Sequence, residues 1–407
     1  MTTLITLLGM VVFLAFAWML STAKTNISAR TVGTAFVLQF IIGGLALYVP
    51  LGRAVLEAIS QAVSGVLSYG QSGIQFLFGD LGAGKVGFVF AFQVLPVIIF
   101  FSALISALYY LGIMGWIIRL IGGALQKLLG TSRAESLSAT ANIFVSQTEA
   151  PMVIKPYIAG MTRSELFAVM VGGMATVAGS VLAGYVALGV EMKYLIAASF
   201  MAAPGGFLMA KIIMPEREQP VEDDEQVLQA EHDQYVNVID AAAGGATNGL
   251  NLAVNIGAML IAFVALIALI NGLLGWFGGL IDYPDLTLQA IFGWIFRPVA
   301  FLLGVPWEQS SIAGSLIGQK LVLNEFIAFI DFGEQKDLLS AQSQAVISFA
   351  LCGFANFSSI AIILGGLATI APNRRADVAQ MGLRAVAAGF MANLMSAAIA
   401  GFYLSLI

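Results

Sequence analysis

The chain has 407 residues, of which 59% are hydrophobic and only 10% charged, with a net charge of −5 and a mean hydropathy of +0.92. Soluble domains carry about 25% charged residues, so lipid must solvate much of this surface. A single cysteine, Cys352, excludes an intrachain disulfide and any multi-cysteine metal site, a single histidine, His232, argues equally against a His-rich site, and no basic block suggests nucleic acid.

Eight apolar runs can cross about 30 Å of hydrocarbon. They lie near 3–20, 32–51, 87–110, 165–190, 194–214, 249–278, 343–371 and 379–406. The first, Leu4 to Leu20, has neither a basic leader nor a clear cleavage site, and reads as a retained span. Residues 53–79 and 112–129 space Arg53, Glu57, Arg119 and Lys127 among apolar residues, which predicts interfacial helices. Residues 285–303, with Arg297 and Pro298, read the same way. Segments 131–158 and 306–333 each place short apolar halves around a polar centre, and neither half can span. Both fit re-entrant helical hairpins, because irregular backbone at depth is tolerated only inside protein or beside water. The acidic stretch Glu216 to Asp240 reads as a solvated linker or exposed helix start. The expected fold is therefore an all-α integral membrane protein. Spans one to three with an interfacial helix occupy 1–110, and a first repeat half occupies 111–214. A linker covers 215–247, and the second half covers 248–407.

Basic residues in short connections set the orientation. Lys24 and Arg30 follow span one, Arg119, Lys127 and Arg133 follow span three, and Arg374, Arg375 and Arg384 follow span seven. With eight alternating spans these fall on one side, expected to be cytoplasmic, and both termini face outward.

Two carboxylates stand in mainly apolar stretches, Glu149 in the first hairpin and Glu325 in the second, 176 residues apart. A charge at bilayer depth costs several kcal/mol unless it meets a cavity or partner, so each marks a functional site by default. Ser180 follows Glu149 by 31 residues, and Asn356 follows Glu325 by the same 31. Both lie in Gly/Ser/Thr/Asn clusters, Thr176 to Gly184 and Cys352 to Ser359, that weaken helix near mid-membrane. A hairpin tip facing a broken span, repeated in opposite orientation, is the pattern of a secondary transporter's midplane site. The plainer alternatives remain open. Lys155 and Lys320 could pair with the two carboxylates. Gln147, Thr148, Asn356 and Ser359 could merely cap broken helices, and Asn142 and Thr176 could be packing hydrogen bonds. Asn248, Asn251 and Asn255 share a helix face suited to interhelical bonds.

At these residues the chain resembles the concentrative nucleoside transporter family, of the bacterial sodium-coupled type. The resemblance covers nearly the whole chain and is most specific in Gln147-Thr148-Glu149-Ala150-Pro151, Asn324-Glu325-Phe326, Gly353-Phe354 through Asn356 to Ser359, and Asn248 to Asn251. It implies a homotrimer in a bacterial inner membrane, each chain with eight spans, two re-entrant hairpins and three interfacial helices, importing nucleosides by an elevator-like movement. It implies that Gln147, Thr148 and Glu149 meet the nucleobase, that Val181 and Phe354 line the pocket, and that Glu325, Asn356 and Ser359 hold the ribose. A carboxylate and an amide can bond a vicinal diol, and Gln with Thr can match a base edge. A sodium site is implied from Asn142, Val145, Thr176 and Val177. Ser146 stands where the family usually has glycine. A proton-coupled version would instead have Glu149 or Glu325 exchange a proton. From other classes, an intramembrane enzyme lacks facing aspartates or a metal constellation, and a passive channel does not call for two hairpin gates.

Overall fold

The structure is a computed structural model describing residues 2–220, 235–280, 283 and 285–407; His232 and most of the acidic stretch lie outside these residues. Every regular element among the described residues is helical. Helices α1 (Thr2–Met19) and α2 (Ala29–Leu47) are apolar, and the Ser28 hydroxyl caps α2 by accepting the Thr31 N–H at 3.2 Å. The long α3 (Pro50–Phe78) is amphipathic and buries only Gly70 and Ile74, as an interfacial helix would. The third span combines α4 (Phe90–Gln93) and α5 (Leu95–Tyr110), interrupted at Val94 where Pro96 opens the second piece. Helix α6 (Ile113–Leu129) is the second amphipathic helix.

The first hairpin follows as α7 (Arg133–Ala141), an irregular tip, and two single turns, α8 (Ala150–Val153) and α9 (Lys155–Ile158). Pro151 and Pro156 begin those turns and limit their hydrogen bonding. The fourth span is α10 (Arg163–Ala175) and α11 (Gly179–Ala187), and α12 (Met192–Ile213) is the fifth. Helix α13 (Val238–Gly279) runs 42 residues, about 63 Å at 1.5 Å per residue. It starts earlier than the apolar run at 249 because the Asn237 side chain caps it, accepting from Ile239 and Asp240. The amphipathic α14 (Leu288–Leu302) leads to the second hairpin, α15 (Ser310–Val322) and α16 (Glu325–Gln335). The seventh span is split into α17 (Ala341–Leu351) and α18 (Ser358–Ile370), and α19 (Arg375–Leu404) ends the chain. Among the described residues, seven helical stretches are long and apolar enough to span, while the expected run 343–371 is divided between two shorter helices.

Burial separates the spans. Every residue from Ser164 to Tyr185 is buried, and most of Met192–Ile213 is too, whereas Val238–Gly279 turns most of its surface outward. The first break lies within the buried stretch, between α10 and α11, and the second follows the buried α17. A buried ion pair anchors one end of this core: Lys211 near the end of α12 lies 2.8 Å from Glu135 and donates to Ser164 at 3.1 Å. It thereby holds the first turns of α7 and α10, each closed by its own capping box, Ser132 with Glu135 and Thr162 with Glu165.

Sidedness is consistent with alternating spans. The Thr22 N–H after α1 donates to Ile213 O at 2.8 Å, and Arg374 before α19 donates to Met161 O. At the far ends of α1 and α19 the Thr3 and Ser405 hydroxyls are 2.9 Å apart. The offset recurs in the helix boundaries, since α10 ends at Ala175 and α17 at Leu351, again 176 residues apart.

Candidate functional site

The two breaks meet. Beyond α10, Thr176 is extended (φ −104°, ψ 170°), and beyond α17, Cys352 leaves the helix at φ −72°, ψ 82°. The Phe354 N–H donates to Thr176 O at 3.0 Å and links one break to the other. Breaking a helix frees carbonyls that must find donors. Asn393 on α19 supplies them, giving its Nδ2 hydrogens to Ala175 O (2.6 Å) and Cys352 O (3.0 Å). Gly353 permits that approach, because a Cβ there would lie 2.2 Å from Asn393 Oδ1.

Glu325 projects from the second hairpin toward this junction. Asn324 accepts the Ile327 N–H at 2.9 Å and starts α16, so Glu325 sits at the electropositive end of a helix. It is only 4% exposed. One carboxylate oxygen accepts from Tyr185 OH and the other from Asn356 Nδ2, each at 3.1 Å. Asn356 Oδ1 in turn accepts from Ser358 Oγ (2.6 Å) and the Ser359 N–H (3.0 Å). Gln147 on the first hairpin reaches across to Ser359, its Nε2 donating to Oγ at 3.4 Å. Its Oε1 is buried and unpartnered among the described residues, a free acceptor beside the cavity.

A cavity of about 110 Å³ opens on this network. Gln147, Thr148, Val181, Glu325, Phe354, Asn356 and Ser359, seven of the eight residues expected to meet the solute, line it. Leu252, Ile256 and Met259 of α13 close its apolar side. Ligand pockets usually hold about 300–1,000 Å³, so this cavity is smaller than a typical ligand site.

The structure does not bring Glu149 to that cavity. Glu149 is exposed, accepts from the Ser146 N–H (3.0 Å) and Oγ (2.8 Å), and lines a second cavity of about 270 Å³ with Ser180 and Asn248. The lysine pairing considered from the sequence is not what holds either carboxylate: Lys155 is exposed, and Lys320 gives its hydrogens to Ala350 O (2.9 Å) and Asn393 Oδ1 (2.5 Å).

The residues expected to hold sodium fit a small hard cation. Asn142 and Val177 are fully buried, Thr176 is nearly so, and Val145 is buried. Asn142 donates through Nδ2 to Ser138 O at 3.0 Å, which leaves Oδ1 as a buried acceptor with no donor among the described residues. Thr176 donates its hydroxyl hydrogen to Gly172 O at 2.9 Å, so the oxygen's remaining lone pairs can accept. Uncharged oxygens in irregular backbone are ligands of the hard-cation type.

Sequence reasoning missed Tyr185, which lies 140 residues from the Glu325 it holds; its five-residue spacing from Ser180 in a broken span was the available signal. It missed Asn393 for the same reason of distance. On α13, Asn248, Leu252, Asn255 and Met259 recur at i, i+4, i+7, i+11 and form one stripe. Asn248 opens on the second cavity, and Leu252 and Met259 on the first. Asn248, Asn251 and Asn255 are all exposed rather than packed in a buried helix contact within this chain, and of the three Asn248 lines a cavity.

Comparison with known proteins points in one direction. Residues 8–81 match the Na+ dependent nucleoside transporter N-terminus, 91–192 a nucleoside recognition (gate) domain, and 194–401 the Na+ dependent nucleoside transporter C-terminus. The nucleoside permease NupC of Helicobacter pylori is 51% identical, over 99% of this chain and 98% of that protein. Among solved structures, CNTnw in an inward-facing substrate-bound state aligns with TM-score 0.96 and 55% identity, over 100% of this chain and 99% of that one. A substituted CNTnw in an outward-facing state aligns with TM-score 0.96 and 54% identity, over 100% and 98%.

Proposed function

This chain belongs to the Na+ dependent nucleoside transporter family and is a transporter, not an enzyme; from that premise we propose that it imports nucleosides, uridine among them, in symport with sodium. The observation that carries the reading is the hydrogen-bonded set Glu325–Asn356–Ser359–Gln147. It joins both hairpins and the second break around one cavity. Each Glu325 oxygen has accepted one hydrogen bond and can accept another, which suits the paired hydroxyls of a ribose. Asn356 and Ser359 complete that end. Gln147 and Thr148 face the base, with Val181 and Phe354 packing against it. Glu149 contacts the base through water, or directly once its bonds to Ser146 break. Sites built to bond hydroxyls reject solutes that lack them, because buried polar groups are then stranded.

Asn142, Val145, Thr176 and Val177 would hold sodium, whose positive charge would sit where the C-terminal ends of α7 and α10 meet. We take the assembly to be a homotrimer in a bacterial inner membrane with both termini outside, moving its hairpin-bearing core in an elevator-like cycle. The outward-turned apolar surface of α13 is available to lipid or to another copy.

The test is radiolabelled uridine uptake into proteoliposomes at fixed pH, with and without a sodium gradient, competed by cytidine, adenosine, guanosine and deoxyuridine. Sodium-driven accumulation is expected. Uptake that ignores sodium and follows a pH gradient would replace the ion with a proton carried on Glu149 or Glu325. No uptake of any nucleoside would remove the proposal.

A further inference from the structure

The two repeat halves treat the same position differently. In the first half, the proposed sodium ligands lie between the end of the first hairpin arm, Asn142, and the C-terminal end of α10, Thr176. Adding the 176-residue repeat offset takes these positions to Gly318 and Cys352. Gly318 carries no oxygen on its side chain, and Cys352 buries a thiol. Two residues beyond Gly318 stands Lys320, whose side chain is fully buried. Its ammonium nitrogen lies 2.9 Å from Ala350 O, in the last turn of α17, and 2.5 Å from Asn393 Oδ1. It also lies 5.6 Å from the centre of the Phe390 ring. Two oxygens and an aromatic face are a cation's surroundings, and the C-terminal end of a helix favours positive charge.

We propose that the Lys320 ammonium is a tethered cation, standing in the second repeat half where the first half is read to hold sodium. The proposal rests on that sodium reading for its meaning, but not for its geometry. The charge neutralises the freed carbonyl end of α17, and Asn393 carries the same clamp to Ala175 O and Cys352 O. Hairpin and break are thereby fastened permanently in the second half, and reversibly in the first. A chain built so has a place for one exchangeable cation between hairpin arm and break, not two.

The test uses the purified full-length protein and its Lys320→Ala variant. The readouts are thermal unfolding against sodium and against ethylammonium, and the sodium-to-uridine ratio from the reversal potential in proteoliposomes. Wild type should show one sodium-dependent step, a ratio of one, and no response to ethylammonium. Lys320→Ala should melt lower and recover with ethylammonium but not with tetraethylammonium, which is too large to enter. A folded Lys320→Ala with wild-type melting and no ethylammonium response overturns the proposal, as does a wild-type ratio of two. If Lys320→Ala does not fold, Lys320→Arg and Lys320→Met decide. Arg folding where Met does not supports the cation, and Met melting like wild type overturns it. A wild type indifferent to sodium defeats the sodium reading alone, because ethylammonium rescue still reports on Lys320.

Discussion

Replacing Glu325 by glutamine separates ribose recognition from folding. The local network accepts an amide. Its oxygen can keep the bond from Asn356 Nδ2, and its NH2 can face Tyr185, whose hydroxyl can rotate to accept. Both protein bonds of 3.1 Å thus survive, and the loss falls on the solute. A hydrogen bond to a charged acceptor is worth about 1.5–3 kcal/mol, against about 0.5–1.5 for a neutral one. The difference, roughly 1–2 kcal/mol, weakens uridine binding about 5- to 30-fold. Calorimetry with purified protein in nanodiscs measures it, using uridine and a deoxyuridine against wild type and variant. The hydroxyl-dependent part of the binding energy should shrink in Glu325→Gln, so the two ligands should be discriminated less. Unchanged uridine affinity, or equal losses for both ligands, would refute the ribose assignment.

Two further substitutions test the surroundings. Thr176→Ala removes one proposed ion ligand without disturbing an unpaired donor, and should raise the sodium needed for half-maximal uptake by about tenfold, or 1.4 kcal/mol; an identical sodium curve takes Thr176 out of the ion site. Gly353→Ala places a methyl group 2.2 Å from Asn393 Oδ1 and should lower the melting temperature and abolish uptake, whereas Gly365→Ala, with nothing within 4 Å, should be neutral or slightly stabilising. Equal behaviour of the two glycine variants would mean that the Asn393 clamp does not hold the breaks.

The spans and breaks were legible because hydropathy and helix-weakening residues are local properties. The run 343–371 carries its own interruption in Gly353, Asn356, Ser358 and Ser359, and α17 ends at Leu351, just before them. Of the seven cavity-lining residues, Glu325 and Asn356 were marked by the fixed offset between the two hairpins and breaks, and the pocket as a whole was indicated by the family resemblance. What the offset could not reveal was direction. Glu149 and Glu325 occupy equivalent positions, yet only Glu325 is buried in the cavity wall, because Asn324 caps a regular helix behind it. Glu149 follows an irregular tip and bonds Ser146 instead. Tyr185 and Asn393 were invisible as partners because their contacts close over 140 and 218 residues, and no local pattern encodes which distant acceptor an amide will meet. Lys320, near Glu325 in sequence, lies on the arm before the tip and points to α17 and α19.

The unequal build of the two hairpins bears on how solute and ion are coupled. The second tip is fastened by Tyr185 and Asn356 on Glu325, both bonds to a carboxylate, and its arm by Lys320. The first tip bonds to itself through Ser146, Thr148 and Glu149, accepts one backbone bond from the first break, Gly179 N–H to Phe144 O at 3.1 Å, and reaches the opposite wall through the 3.4 Å contact of Gln147 with Ser359. A neutral bond of that length contributes less than the roughly 1.5–3 kcal/mol of each charged one. Widening the cavity of about 110 Å³ therefore costs least on the side of the first hairpin and α13. An ion bound by Asn142, Val145, Thr176 and Val177 would fasten that same loose tip to the first break. Sodium should then slow amide hydrogen exchange across 142–149 by about tenfold and leave 323–327 unchanged, since that tip is already held. Protection that appears equally at both tips, or only at the second, would break the link between the loose hairpin and the ion.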